Sequence, residues 1–163
     1  MYQFEQRILN AIGKGLLKNG STIAVAESVT SGLLQWALGS ITDAMKFYQG
    51  GITTYNTAQK FHHLGVEPIT AESCHAVSAK VAAEMALGVT RLFGSQWGIG
   101  ITGFATPVPE SGGKRFAWYA IAKQNRILAT RQLKPRATIA EEVQLAYANA
   151  VLADLRKLLH SRK

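Results

Sequence analysis

Apolar positions along this chain alternate between a helical and a strand period. Over residues 5–19, Ile8, Leu9, Ile12, Leu16 and Leu17 share one helical face, and Gly20 stands where a left-handed residue would end that helix. Residues 22–26 (Thr-Ile-Ala-Val-Ala) are a run of small and β-branched side chains that predicts a strand buried on both faces. Glu27, Ser28, Thr30 and Ser31 crowd the turn that follows, and Gly32 opens an apolar run, 33–38, of short-helix length that fades near Gly39-Ser40. Thr42 or Asp43 is placed to cap a brief helical piece through Phe47, and Gly50-Gly51 is read as a break. Residues 52–55 read as a second strand ending at Tyr55, and Asn56 caps a helix over 57–64 stopped by Gly65. Glu67-Pro68 reads as a turn. Ser78 caps a helix over 79–93, with Val81, Met85, Val89 and Leu92 as its buried stripe and Gly94 as its stop.

Residues 97–102 predict a third strand whose glycines admit close backbone approach, and residues 103–113 a loop long enough to bind a ligand. Residues 116–122 and 127–133 form a hairpin that Pro135 ends. Thr138 and Glu141 have capping-box spacing before a last helix bearing Ile139, Val143, Ala146, Ala150, Leu152, Leu155 and Leu159. This order predicts a single α/β domain, a three-layer α/β/α sandwich with a mixed, mostly parallel sheet. In open sheets of this class ligands sit beyond the carboxyl ends of the strands, so Ser28, Tyr55, Lys60 and the loop from Thr102 and Gly103 are expected to converge.

Convergence of those side chains would support acyl transfer. A serine hydroxyl needs a base to take its proton, and a lysine serves when burial brings its pKa toward neutrality, which makes Ser28 and Lys60 a candidate nucleophile and base. Tyr55 would relay a proton or orient Lys60, and backbone N–H groups near Thr30, Ser31 and Gly32 would hold an oxyanion. Each has a structural counterpart: a helix cap for Ser28, Thr30 or Ser31, a solvated Lys60, a half-buried Tyr55. His62-His63 and the neighbours Cys74 and His75 have no metal-ligand spacing, so neither metal nor cofactor is expected.

Composition narrows the classes. The chain has 163 residues, 47% of them apolar, enough for one domain with a real core, and no run of membrane-spanning length. The first seven residues lack a signal-peptide layout and Cys74 is the one cysteine, which reads as a soluble cytoplasmic protein. The net charge of +8 favours anionic partners. The excess is concentrated late, from Lys114 and Arg115 to Arg162 and Lys163, without the basic arm or interleaved aromatics of nucleic-acid binders. That spread argues against a nucleic-acid partner.

The segments AESVTSGLL, GGITTYNTAQKFHHLGV, AVSAKVAAEMALG and GITGFATP follow one another as in the C-terminal domain of the competence-damage-inducible protein CinA and its stand-alone relatives, the nicotinamide mononucleotide deamidases. The chain resembles that family over nearly its whole length. The resemblance implies a homo-oligomeric α/β/α amidohydrolase that turns a small nucleotide, nicotinamide mononucleotide, into nicotinate mononucleotide and ammonia. It implies Ser28, Tyr55 and Lys60 as the catalytic serine, tyrosine and lysine, with Thr30, Gly32, Thr102 and Gly103 in the pocket. The departures fall beside these positions: the usual Ser-Cys-Thr-Gly-Gly is Ser28-Val29-Thr30-Ser31-Gly32, Asn-Glu-Ala-Lys is Thr57-Ala58-Gln59-Lys60, and the glycine-rich loop is replaced over residues 103–116. A catalytically silent or substrate-shifted member that binds a nucleotide or a protein partner is the alternative.

Overall fold

The computed structural model describes residues 4–161; Met1, Tyr2, Gln3, Arg162 and Lys163, at the ends of the N-terminal segment and the basic tail discussed above, lie outside the described residues. The elements run α1 (Gln6–Lys18), β1 (Ile23–Glu27), α2 (Leu33–Gly39), a 3-10 turn (Ala44–Lys46), β2 (Tyr48–Thr53), α3 (Thr57–Leu64), α4 (Pro68–Ser73), α5 (Ala79–Phe93), β3 (Trp97–Phe104), a second 3-10 turn (Pro109–Ser111), β4 (Phe116–Lys123), β5 (Arg126–Leu133) and α6 (Ala140–His160). One sheet of order β2-β1-β3-β4-β5 forms the middle layer. β1 is parallel to both β2 and β3, and the hairpin adds β4 and β5 antiparallel, so that four strands share one direction and β4 opposes them.

Strand alternation decides which layer each side chain joins. Ile23 and Val25 of β1, with Trp97, Ile99 and Ile101 of β3, enter a core shared with α1, α2 and α6. Ala24 and Ala26 face the opposite way into a core shared with α3, α4 and α5. That second layer lies close to the sheet because β3 presents glycine to it: a Cβ at Gly98 or Gly100 would stand 2.3 Å from the carbonyl oxygens of Ala86 or Ala82 on α5. α5 in turn receives α3 through Gly88, where a Cβ would stand 2.2 Å from the Leu64 carbonyl oxygen. Gly88→Ala therefore must push α3 outward, and chemical denaturation should show a loss of about 3 kcal/mol, an overpacking cost against backbone that cannot yield.

Several sequence expectations are corrected. Gly50-Gly51 does not break the chain but lies inside β2, which begins at Tyr48 and ends at Thr53, leaving Tyr55 beyond the strand. These glycines answer packing: a Cβ at Gly51 would meet Gln35 at 2.5 Å and Val25 at 2.8 Å, and one at Gly50 would meet Phe93 at 2.7 Å. Glu67-Pro68 begins helix α4 instead of making a turn, the Glu67 carboxylate accepting from the Ile69 and Thr70 N–H groups and proline taking the first helical position. α6 starts after Ile139 with no side-chain cap, so the Thr138 and Glu141 box does not form. Leu92, assigned to a buried stripe, is exposed, and so are Leu17, read on the apolar face of the first helix, and Ile139 and Ala146, named among the apolar residues of the last. β3 extends through Phe104, so the long loop begins two residues later than expected. The caps at Asn56 and Ser78 and the left-handed stops at Gly65 and Gly94 form as read. No described helix is long and apolar enough to cross a membrane.

Candidate active site

β1 pairs with β2 on one side and β3 on the other, so the chain diverges at the carboxyl ends of β1 and β3, where α/β sheets open a crevice. A cavity of about 770 Å³ occupies that position. Ser28 enters it from the turn after β1, Lys60 from α3, Tyr55 from the segment between β2 and α3, and Thr102 and Gly103 from the end of β3. Thr30, Ser31 and Gly32 do not line it; they face a neighbouring cavity of about 360 Å³ with Leu33 and Trp36, and Gln144 borders both.

Lys60 is 1% exposed and Ser28 7%. The Lys60 ammonium Nζ donates to Ser28 Oγ at 3.1 Å and to the Thr54 carbonyl at 2.8 Å. Among the described residues it makes no ion pair, and burial pushes its pKa down to about 8. Helix α3 delivers it there: Asn56 Oδ1 accepts from the Gln59 N–H at 2.9 Å and starts the helix, so that Lys60 comes one turn in, on the buried side. A neutral amine keeps two N–H groups and one lone pair. With one N–H on Thr54 O, the lone pair can take the Ser28 proton. Tyr55 stands at the rim, 71% exposed.

The turn itself is organised by Glu27, whose role was not read from the sequence. Glu27 is wholly buried and its carboxylate accepts four hydrogen bonds, from Thr30 Oγ1 at 2.5 Å and from the N–H groups of Gly32, Leu34 and Gln35 at 3.2, 3.1 and 2.8 Å. Of the N–H groups near Thr30, Ser31 and Gly32 expected to hold an oxyanion, that of Gly32 is taken by the chain's own carboxylate together with those of Leu34 and Gln35, and that of Ser31 by the Ser28 carbonyl. No hydroxyl caps α2; its N-cap is Gly32 in a left-handed conformation, φ 99°. The signal available was an acid closing a strand of five buried residues, because a carboxylate in such a place must be paired.

With Glu27 holding α2, the free donors lie earlier in the turn. The Ser31 N–H donates to the Ser28 carbonyl at 3.1 Å and closes a β-turn over residues 28–31. Among the described residues the Val29 N–H has no protein partner. It belongs to the same planar peptide unit as the Ser28 carbonyl and points the opposite way, out of the turn, and Val29 lines the cavity. On the facing wall the Thr102 hydroxyl donates to the Ala76 carbonyl at 2.7 Å, which commits its proton and leaves it only acceptor capacity toward a ligand. That bond holds His75 and Ala76, successive non-glycine residues in the left-handed region at φ 51° and 56°. Glu72, His75 and Glu110 add ionisable groups to the lining that sequence reasoning did not select.

The model of the CinA C-terminal domain matches residues 5–159. The chain belongs to the CinA C-terminal domain family. Within it, this chain is 36% identical over 155 residues to a CinA-like protein of Picosynechococcus sp., a match covering 93% of this chain and 37% of that protein. It is 42% identical over 105 residues to a CinA-like protein of Synechocystis sp., covering 64% of this chain and 25% of the relative. The chain thus spans well under half the length of these curated relatives. Among solved structures, a CinA superfamily protein from Klebsiella pneumoniae superimposes with a TM-score of 0.90 at 28% identity, covering 96% of this chain and 98% of that one. One from Escherichia coli gives 0.85 at 30% identity, covering 93% and 87%. The α/β architecture is thus that of the CinA superfamily.

Proposed function

We propose that the chain is a serine amidohydrolase that hydrolyses the carboxamide of nicotinamide mononucleotide to nicotinate mononucleotide and ammonia. The observation that carries this reading is the buried Lys60 amine, without a counter-ion among the described residues, 3.1 Å from the Ser28 hydroxyl. Lys60 Nζ, in its neutral form, takes the Ser28 proton as Oγ attacks the amide carbon. The Val29 N–H receives the oxyanion of the tetrahedral intermediate. Lys60 then returns the proton to the departing nitrogen, the C–N bond breaks, and ammonia leaves an ester on Ser28. Water, deprotonated by the same lysine, cleaves that ester and restores Ser28. Tyr55 lines the rim of the same cavity, where it can meet a bound substrate, and Thr102 and Gly103 line it from the end of β3.

The test is ammonia release by the purified protein from nicotinamide mononucleotide, measured with nicotinate mononucleotide formation. Equal amounts of both products are expected, and nucleotide binding without release would remove the catalytic reading. A second reading keeps Ser28 and Lys60 but shifts the substrate to a carboxamide without phosphate. It is favoured by the lining itself: apart from Lys60, the ionisable side chains there are Tyr55, Glu72, His75 and Glu110, while Lys114 and Arg115 lie outside it. Under that reading nicotinamide riboside releases ammonia faster than the mononucleotide.

A further inference from the structure

Helix α6 contributes nothing to the Ser28–Lys60 pair, yet it is fastened to both lips of the crevice within one turn. Gln144 Nε2 donates to the Val29 carbonyl at 2.7 Å, and the Tyr147 hydroxyl, three residues on, donates to the Phe104 carbonyl at 3.0 Å. One acceptor lies beside the nucleophile, the other at the end of β3. The helix can act as a fixed strut because Val143, Tyr147, Ala148 and Val151 anchor it in the core next to these contacts.

We propose that Gln144 is a positioning residue for the nucleophile: from α6 it clamps the peptide unit after Val29 and so holds the turn over residues 28–31, from which the Val29 N–H points outward beside Ser28. This rests on the reading of Ser28 as an activated nucleophile. The peptide unit before Val29 is already held by the Ser31 N–H on the Ser28 carbonyl. Gln144 fixes the unit on the other side. Without it, the unit between Val29 and Thr30 can rotate, the Ser31 N–H bond that closes the turn on the Ser28 carbonyl loosens, and the Val29 N–H loses its aim at an oxyanion that exists only in the transition state. The effect belongs in kcat rather than KM, because the ground-state amide needs no such alignment.

Gln144→Met keeps length and helix propensity but removes the donor, and Gln144→Lys restores a donor of similar reach. Two readouts are compared with wild type: steady-state ammonia release from nicotinamide mononucleotide, and the second-order rate at which a fluorophosphonate modifies Ser28. For Gln144→Met both kcat and the modification rate should fall at least about tenfold with KM within about twofold, and Gln144→Lys should recover much of the loss. Rates within about twofold of wild type, or a rise in KM at unchanged kcat, would overturn the assignment while leaving the nucleophile intact. A wild-type protein that neither releases ammonia nor reacts at Ser28 would overturn the amidohydrolase reading and this assignment together.

Discussion

Ser28→Ala should lower ammonia release by about 10⁴-fold or more while leaving the affinity for nicotinamide mononucleotide within about twofold of wild type. The split follows from geometry. Ser28 contributes one small hydroxyl to a cavity of about 770 Å³ lined by many other groups, so its loss removes little binding surface. It does remove the atom that forms the covalent bond, and no other hydroxyl is hydrogen-bonded to Lys60 among the described residues. The Thr102 proton is committed to the Ala76 carbonyl, and Thr30 to Glu27, so neither is available as a substitute nucleophile. Isothermal titration beside a coupled ammonia assay separates the two quantities.

Lys60→Met should give a protein that is inactive and more stable at neutral pH. Lysine loses its proton near 10.5 when exposed, and in the folded chain burial brings this down to about 8. Below about 8 the fold must hold a desolvated cation, a cost of about 3 kcal/mol by linkage. As pH rises from about 8 to 10.5, the unfolded chain binds the proton more tightly than the folded one, so stability from this group increases across that window. Methionine removes the charge but leaves the Thr54 carbonyl without its partner, so the net gain at pH 7 is about 1–2 kcal/mol. Activity should fall at least about 10³-fold. The same titration sets the wild-type pH profile: kcat/KM rises about tenfold per unit below the Lys60 pKa and levels above about 8. Denaturant titrations at pH 7 and 10 on both proteins test the linkage, because only wild type should gain the lysine's share on going to pH 10.

The parts of this molecule that were legible beforehand are those governed by neighbours in the chain. The strand read over residues 22–26 and formed over 23–27, the cap of α3 at Asn56 and the left-handed stops at Gly65 and Gly94 each follow from residues within a few positions of one another. The Ser28–Lys60 approach, across 32 residues, was inferred because two successive strand ends must open on the same edge of a parallel sheet. What escaped was set by contacts that sequence spacing does not carry. Gly50-Gly51 reads as a break, yet it sits within β2 because Gln35, Val25 and Phe93 occupy the space its side chains would need. Glu27 was read with the polar turn, and only its burial reveals that it takes the Gly32 N–H that was assigned to a substrate oxyanion, together with those of Leu34 and Gln35. Gln144 lies 115 residues from Val29, and nothing in the pattern of α6 distinguishes it from a solvated glutamine.

The functional consequence of Glu27 is that the anion-holding element shifts toward the nucleophile. A helix terminus filled by the chain's own carboxylate has no donors left for a developing oxyanion, which leaves the backbone N–H groups of the turn before it, that of Val29 in the proposed mechanism. Val29 and Ser31 replace smaller or more reactive residues of the family motif. Ser31 adopts φ 46°, a conformation that glycine would take without strain. The turn therefore keeps its geometry through hydrogen bonds to Glu27 and Gln144.

Rapid-quench mass spectrometry of wild-type protein mixed with nicotinamide mononucleotide reads the nucleophile itself. A transient acyl adduct, heavier than the free protein by the nucleotide less ammonia, is expected on the peptide containing Ser28 and is expected to be absent in Ser28→Ala. Steady ammonia release with no adduct on Ser28 at any time, or undiminished release by Ser28→Ala, would contradict Ser28 as the nucleophile.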